Sequence, residues 1–272
     1  MSASPLTKTV RPSLAHEGIA ALLAVAGGAA AGSRFAASPG WELGFALGTV
    51  VALSWQVLWH ALAAPDWRAI LAIWQGWAQG RPLPYLPYTQ PGSLAERAAV
   101  ELGLFAAWAQ RALLPAHGET LITAAISAGT ALAVSAALNE WAVVLTFAAL
   151  LFAQLAVFLS SQFKDLPTAL RGLQAVTLPL MLGHSLMAEL GLAFLAVAFA
   201  LGIAYSGMLG SWALLRDIGC VAVVLLLALT RQPVGAFAVL ALWAPQAFLK
   251  LERGHRVWLL AVILASALTF AA

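Results

Sequence analysis

Residues 119–162 read ETLITAAISAGTALAVSAALNEWAVVLTFAALLFAQLAVFLSSQ, and this stretch decides the fold. It holds two apolar runs, 119–138 and 141–162, separated by the polar pair Asn139-Glu140. Each run has roughly the 20 residues that a helix needs to cross a bilayer, where the backbone must satisfy its own hydrogen bonds. Because the separator is so short, the sequence predicts two antiparallel membrane-spanning helices.

The same pattern extends along most of the chain, which is 62% hydrophobic and 9% charged. Soluble domains carry about 25% charged residues, so this composition matches a bilayer rather than water. We therefore predict an all-α, polytopic integral membrane bundle: a tail at 1–16 and a single transmembrane domain at 17–272. Short polar turns, among them Arg216-Asp217 and Gln232-Pro233, separate successive spans. The nine predicted spans are 17–38, 43–64, 119–138, 141–162, 172–188, 190–214, 216–231, 233–249 and 256–272.

The basic residues predict the orientation, because Lys and Arg concentrate on the cytoplasmic side of membrane proteins. If the polar segment 95–114 does not span and the N-terminus is cytoplasmic, 12 of the 14 basic residues lie inside and only Arg34 and Arg231 lie outside. If 95–114 spans, the split becomes 6 against 8. The first arrangement predicts a cytoplasmic N-terminus, an outside C-terminus and a segment 95–114 that lies on or dips into the cytoplasmic face. The expected location is a bacterial inner membrane.

This orientation makes 65–118 the one large cytoplasmic loop. Its first part, 66–79, has the aromatic and basic residues of an interfacial amphipathic helix, and four prolines stiffen the stretch that follows. Two interpretations stay open: the loop rests on lipid headgroups, or it docks a soluble redox or other cytoplasmic partner. Nucleic acid is not an expected partner, because no dense basic patch with interleaved aromatic residues is present.

Candidate site residues collect at the cytoplasmic ends of the predicted helices. We expect His16, His60 and His117, with Asp66 and Arg68, to form a polar mouth or to contact a quinone. His184 lies toward the other side without an evident partner, so a heme is not expected, and no metal-ligand spacing is present. No catalytic residue is predicted, and the chain is interpreted as noncatalytic on its own.

Other features concern packing inside the bilayer. The acidic residues all fall at helix ends or in loops, which argues against a proton pump. Gly28 and Gly32 predict a close helix crossing, and Pro179 and Pro245 predict kinks. Four polar residues in mid-helix are expected to form interhelical hydrogen bonds or to line a pocket for a quinone or isoprenoid headgroup: Gln56, Gln154, Thr177 and Gln246.

The chain resembles two membrane families in its general plan. Nine spans with a long loop after the second are similar to UbiA-type prenyltransferases, but the Asp-rich diphosphate motifs of that family are missing, so its activity is not implied. The chain resembles the YwiC-like family of bacterial membrane proteins more closely. The biochemical role of that family is undefined. The matching stretches are 12–18 (PSLAHEG), 158–164 (FLSSQFK) with Arg171, and 255–258 (HRVW).

A third resemblance is to the membrane anchor subunits of dimethyl-sulfoxide reductase type. It rests on His60 and on 65–74, PDWRAILAIW, with altered spacings. It implies quinol oxidation beside a molybdoenzyme and an iron–sulfur subunit, with His60, Asp66 and Arg68 near the quinol. The leading interpretation is a YwiC-like protein with a cytoplasm-facing pocket for a quinone or isoprenoid lipid. The alternatives are a quinol-oxidising anchor subunit and a transporter of a small neutral solute.

Overall fold

The computed structural model describes residues 14–32, 41–63, 65, 67, 69–70, 73–74, 92–159, 166–210 and 212–249, with the backbone alone at 14–16 and 245–249. The regular structure in these residues is entirely helical. We number eight helices in chain order: α1 Leu14–Gly32, α2 Trp41–Ala63, α3 Leu94–Leu138, α4 Glu140–Leu159, α5 166–185, α6 Leu192–Leu209, α7 Ala213–Leu229 and α8 Pro233–Leu249.

The first eight predicted spans each fall on one of these helices, and the ninth, 256–272, lies outside the described residues. Within the part of the chain that the structure describes, four helices are long and apolar enough to cross a membrane: α2, α3, α4 and α6. The prediction of an all-α chain with membrane-spanning helices is therefore confirmed for the described residues. The count of nine spans and the sidedness of the termini remain predictions.

The sequence predicts that segment 95–114 is separate from the span that follows it. In the structure the two are continuous. Segment 95–114 is the first part of α3, which runs through 45 residues. At 1.5 Å per residue this helix is about 68 Å long, against about 30 Å for the hydrocarbon core of a bilayer. Ser93 caps the start of α3, because its hydroxyl accepts from Glu96 N–H at 3.1 Å, and Glu96 Oε2 accepts from Gly92 N–H at 2.5 Å.

Two turns between helices were predicted with different success. Asn139 joins α3 and α4 as expected, because its Oδ1 accepts from Ala142 N–H at 2.7 Å and its Nδ2 donates to Ser185 O at 3.0 Å. The pair Arg216-Asp217, predicted as the separator of α6 and α7, instead lies inside α7. Helix α6 ends at Leu209 with Gly210 as its C-cap. Asp217 accepts from Arg216 Nε at 2.9 Å and from Trp243 Nε1 at 3.2 Å.

Proline changes the helix register at two places with similar sequences, 109–115 (AQRALLP) and 173–179 (LQAVTLP). Residues Ala109–Leu113 and Leu173–Thr177 each form a π-helical turn directly before Leu-Pro. Proline has no N–H for an α-helical bond, and the helix widens by one residue to accommodate this. The predicted kink at Pro179 is thus accompanied by a π-turn, while the side chain of Pro245 lies outside the description.

Helices α1 and α5 run parallel and touch through glycine. A Cβ added at Gly28 would overlap Leu180 O, and one added at Gly183 would overlap Val25 O. At Gly32 an added Cβ would lie 2.8 Å from the Cβ of Met187. The predicted close crossing at Gly28 and Gly32 is confirmed, with α5 as the partner helix. Helix α2 packs on α1, α3, α4 and α5, so α1, α2 and α5 form the centre of the bundle.

Candidate functional site

Three charged or titratable side chains meet where the start of α1, the end of α2 and the start of α5 come together. Glu17 is fully buried. Its Oε2 lies 2.7 Å from His60 Nε2, and its Oε1 forms an ion pair with Arg171 Nη2. Arg171 Nη2 also lies 3.5 Å from His60 Nε2. We call Glu17, His60 and Arg171 the Glu17 cluster.

The cluster is buried on its acidic side and open on its basic side. The side chain of Glu17 is 0% exposed, whereas His60 is 29% and Arg171 20% exposed. A carboxylate without water needs charge partners, and the start of α1 adds the positive end of a helix dipole. Imidazole and guanidinium groups are therefore held at a surface by a carboxylate behind them, which is an arrangement suited to recognising hydrogen-bonding groups.

A second polar layer lies next to the cluster and depends on the π-turn of α5. Leu178 N–H donates to Leu173 O, and residue 179 is proline, so Gln174 O lacks both of its helical donors. Gln56 Nε2 donates to this carbonyl at 3.3 Å, and Gln174 Nε2 donates to Trp55 O at 2.8 Å. The two glutamines thereby lock α2 to α5 one turn inside the cluster.

The packing leaves two polar atoms of the site without a partner. Arg171 Nε and Gln174 Oε1 are buried and make no hydrogen bond. Buried polar atoms are nearly always satisfied, so such exceptions often mark a place where a ligand or water completes the network. One atom is a donor and the other an acceptor, and they stand three residues apart on α5, on neighbouring turns of one face.

The predicted site residues have different outcomes. The structure places His60 in the cluster. The side chain of His16 and the whole of Asp66 and Arg68 lie outside the described residues. His117 lies on α3 about two turns before Ala124, which packs with Leu58 and Ala61 at the His60 end of α2. It is thus at the same end of the bundle, but it does not join the cluster.

Sequence reasoning missed two members of the cluster. Glu17 was interpreted as a helix-end acid, and it is indeed in the first turn of α1, yet it is fully buried. Arg171 is one of the 12 basic residues that the charge count assigns to the cytoplasmic side, and it forms an ion pair with that buried carboxylate. A place at a helix end therefore does not imply an exposed side chain, and the positions of the acidic residues in the sequence do not exclude proton chemistry at Glu17.

His117 lines a separate, small and partly open apolar hollow. An aromatic group borders it, in which the ring centroid of Trp74 lies 5.7 Å from Phe105 and 5.4 Å from Trp108. These contacts tie the described positions of the predicted interfacial segment to α3. The hollow is lined by Ile70, Ile73, Trp108, Ala112, Leu113, Ala116 and His117.

Of the four polar residues predicted in mid-helix, two form interhelical hydrogen bonds. Gln56 forms the interhelical hydrogen bond already described, and Thr177 Oγ1 donates to Ala198 O on α6 at 2.9 Å, as predicted. Gln154 is exposed on α4, and the side chain of Gln246 lies outside the description. Among the described residues, no group of three or more His, Cys, Asp or Glu side chains is placed to hold a metal ion.

Comparisons with protein families, with curated proteins and with solved structures found no match to this chain.

Proposed function

We propose that this chain is a membrane-embedded binding protein, noncatalytic on its own, whose Glu17 cluster takes the polar headgroup of a quinone or isoprenoid lipid. The observation that carries the proposal is the half-open cluster itself. Two basic side chains face outward over a buried carboxylate, and two unpaired polar atoms lie beside them. A lipid tail can lie along the apolar helices while its headgroup bonds to these side chains.

We further propose that the chain spans a bacterial inner membrane nine times, with the N-terminus in the cytoplasm and the C-terminus outside. The distribution of basic residues supports this orientation. In it the Glu17 cluster opens toward the cytoplasmic surface, where the first part of α3 also extends.

The binding proposal is tested by extracting the full chain in a mild detergent and identifying bound lipids by mass spectrometry. We expect a quinone or another isoprenoid lipid in stoichiometric amount. His60→Ala should weaken its binding by about three- to tenfold, because a hydrogen bond contributes about 1 kcal/mol. His117→Ala is the matched control, since it removes an imidazole from the same end of the bundle but outside the cluster. Equal losses in both variants would reject the site.

A quinol-oxidising anchor subunit is the second candidate, and the pair of His60 and Glu17 favours it. Oxidation of a quinol releases two protons and two electrons. An imidazole held by a carboxylate can accept one such proton. The electrons would need an iron–sulfur partner subunit, which should then co-purify with the chain. Purification that yields bound lipid but no redox subunit would exclude this candidate and leave the binding function in place.

A further inference from the structure

The Glu17 cluster is nearly neutral as a unit. The negative charge of Glu17 offsets the positive charge of Arg171, and His60 adds nothing or one positive charge according to its protonation. Resting on the proposed function, we infer that the site selects a neutral isoprenoid headgroup that both accepts and donates a hydrogen bond, such as an alcohol or a phenol, and rejects isoprenoid phosphates.

The carboxylate of Glu17 also occupies the place where a phosphate would be expected to bind. The N-terminus of a helix attracts anions through its free N–H groups and its dipole. Glu17 lies in the first turn of α1 and contacts both cationic side chains of the cluster. A phosphate monoester with a charge of about −2 would therefore meet a resident carboxylate that already uses these attractions.

The two unpaired atoms point to the same class of ligand. Arg171 Nε–H needs an acceptor and Gln174 Oε1 needs a donor. A hydroxyl group carries both an acceptor and a donor, so it suits either atom. A fully ionised phosphate can only accept, so it would leave Gln174 Oε1 facing a negative oxygen. Both atoms are closed off from water, so only a group that enters between the helices can satisfy them.

Farnesol and farnesyl phosphate test this inference, because they share one tail and differ only in the headgroup. Binding of each is measured to the purified full chain in a mild detergent. We expect farnesol to bind at least about tenfold more tightly than farnesyl phosphate, since like charges placed together are strongly unfavourable. Farnesyl phosphate that binds as tightly as farnesol, or more tightly, would overturn the inference while leaving lipid binding intact.

Glu17→Gln sharpens the test by removing the resident negative charge. The variant leaves Arg171 and His60 uncompensated and should shift the preference to farnesyl phosphate. The double variant Glu17→Gln/Arg171→Gln carries neither charge and should lose the preference for farnesyl phosphate. A Glu17→Gln protein that folds and keeps the wild-type preference would contradict the role of Glu17.

The outcomes separate the inference from the proposed function. If Glu17→Gln does not fold, the comparison of the two probes on the wild-type chain decides the inference. If neither probe binds but a prenylated benzoquinone does, the inference is rejected and the proposed function stands. If none of the three binds, the proposed function is rejected and the inference falls with it.

Discussion

At the residue scale, Glu17 combines an ionisable side chain with complete burial in an apolar bundle. Desolvation of a carboxylate in such a place costs several kcal/mol unless charge and hydrogen bonds compensate it. Arg171 and His60 provide that compensation from two other helices. The complete cluster therefore stabilises the fold, and loss of one member leaves a buried charge that destabilises it.

Arg171→Gln should destabilise the fold by about 3–5 kcal/mol, because it leaves the buried carboxylate without its guanidinium partner. The change is measured as a loss of thermal stability of the protein in detergent. The control is Glu17→Gln/Arg171→Gln, which removes both charges and should recover a large part of that loss. A double variant no more stable than the single one would show that the two charges are not coupled.

At the element scale, the ends and faces of α5 organise the bundle. Its first turns carry Arg171 and Gln174, its middle widens before Pro179, and its second half touches α1 through Gly183. The π-turn frees the Gln174 carbonyl that Gln56 binds. The crossing of α1 and α5 brings their backbones close enough for Glu17 to reach Arg171. Local backbone geometry thus positions the chemistry of the cluster.

Gly28→Ala should destabilise the protein by about 1–3 kcal/mol, because its Cβ would overlap the carbonyl oxygen of Leu180. Gly129→Ala on α3 is the matched control, since an added Cβ there meets nothing within 4 Å. The control should be neutral or stabilising by up to about 1 kcal/mol through helix propensity. Thermal unfolding of both variants in the same detergent compares them, and equal loss in both would rule out a specific crossing.

Pro179→Ala should weaken lipid binding while the helical content stays the same. The new N–H lets α5 return to the α-helical register, which rotates Arg171 and Gln174 relative to Leu180 by about 100°. Bound lipid is measured by mass spectrometry and helical content by circular dichroism. Pro115→Ala makes the same change in the π-turn of α3, away from the cluster, and should keep its lipid. Comparable lipid loss in both variants would show that the register of α5 is not the cause.

At the scale of the whole molecule, the bundle places the Glu17 cluster, His117 and the aromatic group around Trp108 at one end. The first part of α3 carries Glu96, Arg97, Glu101 and Arg111, and because charges are costly in hydrocarbon, the proposed topology puts this half of the long helix outside it. In the proposed orientation that end faces the cytoplasm, where lipids and soluble partners are both within reach.

Reporter fusions after Ala272 test the proposed orientation. A periplasmic reporter should be active there and a cytoplasmic reporter inactive, because an odd number of spans places the two ends on opposite sides. A fusion within 81–90 should show the reverse activities. A reporter after Ala272 that works only in the cytoplasm would contradict nine spans with a cytoplasmic N-terminus.

The helices could be predicted because each depends on a local property, a long apolar run between polar breaks. The wrong prediction at Arg216-Asp217 has a physical reason. The pair is a polar break in the sequence, but a helix tolerates an ion pair in its first turns. The chain turns at Gly210 instead. The π-turns do have a local signal in the sequence, the repeated pattern Gln-x-x-x-Leu-Pro.

The cluster could be predicted only in part, because it depends on which helices pack together. His60 was identified as a polar residue at a helix end. Its pairing with Glu17 and Arg171 required the parallel contact of α1 and α5, which arises from backbone approach at Gly28 and Gly183. No pattern within a single segment encodes that choice of partner.

The spacing of the cluster along the chain has a consequence for biosynthesis. Glu17 is made first, His60 follows 43 residues later, and Arg171 comes a further 111 residues after that. At about 5–20 residues per second, the ribosome needs roughly 5–20 s between the imidazole and the guanidinium. During that interval the nascent protein can pair its carboxylate with His60 but not with Arg171. The buried carboxylate therefore obtains its full set of partners only after the fifth helix has been made.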